Sequence, residues 1–126
     1  MLKRDEAFSG FSVDDIPKAR AFYRDVLGID VADAPMGSLD LPIGGGKHVF
    51  IYQKDDHRPA TYTTFNIPTD DIDGAVAELR GKGVAFQEYE GMTDADGIAR
   101  GREAGMGPDI AWFTDPAGNI LAVLQN

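Results

Sequence analysis

Ser12-Val13-Asp14-Asp15-Ile16 decides how the rest of the chain is read, because Pro68-Thr69-Asp70-Asp71-Ile72 repeats its form in the second half. After the first copy, Ile16, Ala19, Phe22, Val26 and Leu27 recur at helical spacing. After the second, Ile72, Ala75, Val76 and Leu79 do the same. Each predicted helix opens at an aspartate able to cap free amide donors, Asp15 or Asp71, and stops at a glycine, Gly28 or Gly83. Pro17 fits a first turn, which has no amide partner to lose.

Strands are predicted around both helices. Residues 7–13 precede the first; residues 61–67 precede the second and alternate clearly, rich in β-branched and aromatic side chains. Downstream candidates are 29–32, 38–41 and 48–53 in the first half, and 84–89, 110–114 and 119–124 in the second. The last two strands of each half meet at similarly punctuated turns, Pro42-Ile43-Gly44 and Pro116-Ala117-Gly118. The economical reading is an α+β chain of two tandem βαβββ modules. Module 1 spans about residues 5–54, a charged linker about 55–60 and module 2 about 61–126, together a single domain over 1–126. Residues 91–107, with five glycines, are too long for a simple hairpin and read either as a lid over a ligand or as a tolerated insertion.

Composition narrows the chemistry. Of 126 residues, 43% are hydrophobic and 26% charged, which is ordinary for a globular chain. The absence of cysteine excludes disulfides, thiolate metal sites and a cysteine nucleophile. His48 and His57, the only histidines, cap any imidazole chemistry at two ligands. Twelve Lys and Arg against 21 Asp and Glu leave a net charge of −9, which argues against a nucleic-acid partner and suits a cationic one. No stretch approaches the ~20 apolar residues of a membrane span, and the first residues lack a signal-peptide pattern, so a cytoplasmic protein without a membrane partner is expected.

Four stretches carry a resemblance: Val13-Asp14-Asp15-Ile16, Ala21-Phe22-Tyr23-Arg24-Asp25-Val26-Leu27-Gly28, Thr69-Asp70-Asp71-Ile72, and Phe113-Thr114-Asp115-Pro116-Ala117-Gly118-Asn119. In these the chain resembles the vicinal oxygen chelate superfamily, the glyoxalase, bleomycin-resistance and extradiol dioxygenase group. The resemblance implies eight strands curled around a shared cavity, commonly in a homodimer. It also implies metal ligands on four strands, which carry over onto Phe8, Ile51, Thr64 and Ala122. None of these has an imidazole or a carboxylate, so no metal and no other cofactor are expected.

Strand alternation then supplies a cavity. If Phe11, Val13, Phe65, Ile67, Leu121 and Val123 face the helices, the other face presents Phe8, Gly10, Ser12, Ile51 and Gln53 from the first module. From the second it presents Tyr62, Thr64, Asn66, Trp112, Ile120 and Ala122. The ligand-binding candidates are Phe8, Ser12, Ile51, Gln53, Tyr62, Thr64, Asn66, Trp112 and Ala122, an aromatic-walled pocket with a few neutral polar groups. His48 is placed on the face opposite Ile51, His57 in a solvated turn, and Ser12 without a base beside it. Asp94-Ala95-Asp96-Gly97 resembles the start of a calcium loop but has Gly105 where the closing glutamate belongs.

The expected function is metal-free binding of a small cationic or aromatic molecule, similar in mode to bleomycin-resistance-type sequestering proteins. The alternative is a glyoxalase-like lyase, isomerase or dioxygenase with an atypical metal site or none. It would need a base, for which Glu88, Glu90 and Glu103 are the candidates, and no catalytic residue is assigned.

Overall fold

A computed structural model describes residues 1–126, which form two compact units, Met1–Pro59 and Ala60–Asn126. In chain order the first holds β1 (Ser9–Val13), α1 (Ile16–Ala21), β2 (Ala32–Asp33), β3 (Leu39–Gly44) and β4 (Lys47–Gln53). The second holds β5 (Thr63–Pro68), α2 (Ile72–Gly81), β6 (Ala99–Arg100), α3 (Gly101–Ala104), β7 (Asp109–Thr114) and β8 (Ile120–Gln125). The eight strands hydrogen-bond in two sets of four, ordered β1-β4-β3-β2 and β5-β8-β7-β6. In each set the first strand runs parallel to its neighbour and the remaining pairs are antiparallel. The fold is α+β, and the copied sequence motif is copied in the topology.

Both main helices begin as their sequence demands. The Asp15 carboxylate accepts the Lys18 amide at 3.0 Å, and the Asp71 carboxylate accepts the Gly74 amide at 3.1 Å. At the second site Thr69 Oγ1 also accepts the Asp71 amide, and the Gln125 side chain accepts the Ile72 amide at 3.1 Å. That last bond pins the final strand to the start of α2. The first helix does not end at Ala21: it widens into a π-helical turn over Phe22–Val26, with the Leu27 amide donating to the Phe22 carbonyl. Gly28, at φ +67°, then closes it.

That closure explains one departure from expectation. The Ile29 amide donates to the Tyr23 carbonyl at 2.9 Å and so is lost to sheet pairing. The predicted strand at 29–32 therefore shrinks to Ala32–Asp33. A larger departure lies in the second unit, where 84–89 forms no strand. Only Phe86 bridges to Phe113, and the Gln87 amide donates to the Trp112 carbonyl. The chain then loops away and returns as β6, opposite Ile110 and Asp109. Two short segments thus cover the β7 edge that one strand was expected to cover. Residues 91–107 are consequently not a free lid, since they contain β6 and α3 and bury Ile98 completely.

Paired residues on neighbouring strands project to the same face. In the first unit Phe11, Val13, Leu39, Leu41, Val49 and Ile51 are buried against Ile16, Ala19 and Tyr23 of the helix. The Phe11 and Tyr23 rings lie 6.0 Å apart. In the second, Ala111, Phe113, Leu121 and Val123 are buried with Ile72 and Val76 of α2. Each fully buried Leu, Ile or Phe contributes about 1.5–3 kcal/mol, so these two one-sided cores account for the sheets holding their helices. No helix is long and apolar enough to cross a membrane.

Candidate functional site

The sheet face that α1 leaves uncovered in the first unit carries Phe8, Gly10 and Ser12 from the β1 side, and His48, Phe50 and Tyr52 from β4. The register corrects one sequence expectation. Phe11 pairs with Ile51 and Val13 with Gln53, so Ile51 lies on the helix-packed face with 0% exposure, and Gln53 shares its parity. The expectation had placed β4 one residue out of phase. Phe50 and Tyr52 stand where Ile51 and Gln53 were expected, and His48 stands on the open face with them. A continuous apolar run, Val49-Phe50-Ile51-Tyr52, hides the phase of this strand, because every position is hydrophobic.

Three aromatic rings line this face. Phe8 and Phe50 meet edge to face at 6.2 Å, and Phe50 stacks on Tyr52 at 5.9 Å. Phe8 is 66% exposed, so its ring is presented rather than packed away. At one end of the face lies a cleft of about 390 Å³ bounded by Glu6, Phe8, Asp33, Asp40, His48 and Phe50. Its floor is aromatic and its rim carries three carboxylates, of which Glu6 pairs with Lys3 and Asp33 with Arg20. Asp40 and His48 pair across β3 and β4, with His48 Nδ1 at 2.9 and 3.1 Å from the two carboxylate oxygens. Arg20, arriving from α1, is bonded to Asp33 at 2.7 Å.

At the other end Ser12 Oγ and His57 Nδ1 lie 2.6 Å apart. This corrects the reading of Ser12 as lacking a base and of His57 as a solvated bystander. The sequence holds no local sign of the pair, whose members are 45 residues apart.

In the second unit the face turned away from α2 carries Asn66, Trp112 and Ala122, with Ala122 paired to both of the others across β5, β7 and β8, but Ala122 is fully buried and is not presented to a ligand as expected. Tyr89 meets Trp112 edge to face at 5.4 Å. Thr64 sits at a break in register, and its hydroxyl donates to the Ile120 carbonyl at 3.1 Å, mending the ladder. Tyr62 is 70% exposed. A second cleft, about 450 Å³, is framed by Glu88, Tyr89, Glu90, Thr93 and Asp94. Glu88, Glu90 and Glu103 are all exposed, with the first two on irregular chain instead of a sixth strand.

The donor set does not fit a divalent metal. Phe8, Thr64 and Ala122 offer no imidazole or carboxylate, Ile51 is in the core, and no group of three His, Asp or Glu side chains is arranged to hold a metal ion. The Asp94-Ala95-Asp96-Gly97 turn surrounds a cation that the chain itself supplies. Arg100 Nε donates to Asp94 at 2.8 Å, and its two terminal nitrogens donate to Asp73 at 2.7 and 3.1 Å. Asp73 is held below the usual carboxylate range by these bonds. For Asp94, burial pushes upward but is outweighed by Arg100 and by the Ile98 and Asp96 amides, so its carboxyl also ends low.

The comparisons with known proteins agree with this fold. A family model described as "Glyoxalase/Bleomycin resistance protein/Dioxygenase superfamily" matches residues 8–123. Among solved structures, TnmS3, an antibiotic-binding protein from Streptomyces sp. CB03234, is 28% identical with a TM-score of 0.66, covering 94% of each chain. A member of the same superfamily from Sphaerobacter thermophilus is 27% identical with a TM-score of 0.69, covering 95% of this chain and 96% of that one. A glyoxalase/bleomycin resistance protein from the same Streptomyces strain is 25% identical with a TM-score of 0.61, covering 94% of this chain and 100% of that one. No curated protein matches the chain significantly.

Proposed function

We propose, from the premise that the chain belongs to the Glyoxalase/Bleomycin resistance protein/Dioxygenase superfamily, that it binds a small aromatic cation without a metal and holds it unchanged. One observation carries this reading: the 390 Å³ cleft has an aromatic floor, Phe8 and Phe50, under a rim of Glu6, Asp33 and Asp40. A planar cation over Phe8 and Phe50 gains ring-face attraction of about 0.5–2 kcal/mol. Asp40, bonded to His48 and to no lysine or arginine, opposes its charge, and a cleft of this size suits a drug-sized molecule. Likeness to an antibiotic-binding protein supports a binding role of this kind. The homodimer implied by the family resemblance belongs to this proposal, and sedimentation of the full chain measures it.

The test is calorimetric titration with proflavine, a planar aromatic cation, against anthracene-2-carboxylate, an anion of similar shape. The cation is expected to bind and the anion not to. Phe50→Ala and Asp40→Asn are each expected to weaken the cation about fivefold or more, in keeping with the loss of about 1 kcal/mol. Equal binding of the two probes, or indifference to both substitutions, overturns the reading.

A second reading rests on the Asp40–His48 pair. An imidazole oriented by a carboxylate inside a cleft is the arrangement of a general base, as a lyase or isomerase of this superfamily would need. Loss of turnover, with retained binding, in His48→Gln would favour that reading.

A further inference from the structure

Ser12 and His57 are brought together by a short series of backbone hydrogen bonds after β4. Past Gln53 the chain keeps its parallel course for one more bond, with the Lys54 amide donating to the Val13 carbonyl at 3.0 Å. It then turns back, and the His57 amide donates to the Lys54 carbonyl at 3.0 Å. Lys54 and Asp56 form an ion pair within the same turn, which raises the lysine and lowers the carboxyl from their ordinary pKa values, the hydrogen bond between them being the main cause. These bonds deliver the imidazole to Ser12 Oγ at 2.6 Å, with both side chains half-buried. Ser12 pairs in register with Tyr52, so the Phe50–Tyr52 stack forms the apolar surface beside the hydroxyl.

We propose that Ser12 and His57 are a nucleophile and base able to take the acyl group of a small aryl or alkyl ester whose apolar part rests on Phe50 and Tyr52. The proposal stands apart from the binding of a cation in the cleft. With Nδ1 unprotonated, the Ser12 hydroxyl donates to it. As Oγ bonds to the ester carbonyl carbon, its proton passes to Nδ1. The tetrahedral adduct collapses by breaking the bond to the leaving oxygen, which takes that proton and departs as an alcohol or phenol. Water then attacks the acyl-serine, gives a proton to His57, and releases the carboxylic acid as Ser12 regains its hydrogen. General-base assistance of this kind contributes about 100-fold or more.

The test treats the full chain with a fluorophosphonate and with p-nitrophenyl acetate, followed by intact-mass and peptide analysis. One adduct on Ser12 is expected, absent in Ser12→Ala. Its rate of formation should fall about 100-fold in His57→Gln. Absence of a Ser12 adduct, or equal rates in wild type and His57→Gln, overturns the proposal and leaves the pair as a fastening for the turn. Should His57→Gln not fold, Ser12→Cys decides, because the chain has no other cysteine. Beside His57 that thiol should react with iodoacetamide at neutral pH about tenfold faster than free cysteine, as thiolate fraction controls the rate. A rate equal to or below that of free cysteine overturns the proposal.

Discussion

Asp115 shows how much a single buried side chain organises. One of its carboxylate oxygens accepts the amides of Ala117 and Asn119, both at 2.9 Å, and the other accepts the Asn119 side-chain amide at 3.1 Å. Asp115→Ala leaves those donors unmet inside the protein. A loss of about 2–3 kcal/mol is expected in urea unfolding, and a change within about 0.5 kcal/mol would contradict this account. The turn was legible in the sequence from Pro116 and Gly118, but the three donors on the Asp115 carboxylate were not read there. Arg100 was not legible, since its partners Asp73 and Asp94 come from α2 and from the preceding loop. Their carboxyls titrate lower in the folded chain than in the unfolded one. Their contribution is therefore complete above the unfolded value of about 3.9 and fades as pH falls through the folded value. The stability gap between wild type and Arg100→Met should stay open at neutral pH and close as pH falls below about 4. Thermal melts over a pH series measure it.

At the scale of elements, two glycines separate backbone freedom from close approach. Gly28 has φ +67° and open space around the position of an added Cβ. Gly101 begins α3 where a Cβ would meet the Pro108 carbonyl oxygen at 2.6 Å and that of Gly107 at 3.0 Å. Gly28→Ala should cost about 1 kcal/mol through strain alone. Gly101→Ala should cost about 2–3 kcal/mol and speed hydrogen exchange at β6, because only backbone can yield. Equal effects of the two would refute the distinction. Gly28 was readable as a helix stop, whereas Gly101 was one of five glycines in an apparent loop. Capping, helix periodicity and the alternating β5 were likewise visible, being encoded by neighbours. The π-helical turn, the shortened β2 and the divided cover of the β7 edge were not. Each depends on which amide is claimed first, and that is settled by competition between segments.

At the scale of the whole chain the net charge of −9 acts on anything that approaches it. Raising ionic strength from about 10 to about 150 mM shortens the screening length from about 30 to about 8 Å. Proflavine affinity should weaken over that range by about threefold or more, while a neutral acridine should be unaffected. Parallel weakening of both would remove charge from the explanation.

The repeated Asp-capped helix, the Asp-Pro-Ala-Gly-Asn turn and the spacing between them determined by themselves that the chain would build βαβββ twice, since each signal acts over a few residues. They also put Phe8, Thr64 and Ala122, none of which carries an imidazole or a carboxylate, at positions where the family resemblance implies ligands. The phase of β4 was decided only in three dimensions. In an all-apolar run, the choice between Ile51 and Phe50 for the core rests on register with Phe11 and Leu39. That choice put Phe50, Tyr52 and His48 on the open face. The turn after β4 then carried His57 to Ser12, a meeting that pattern alone could not reveal because hydrogen bonds between distant residues form only once the strands have paired.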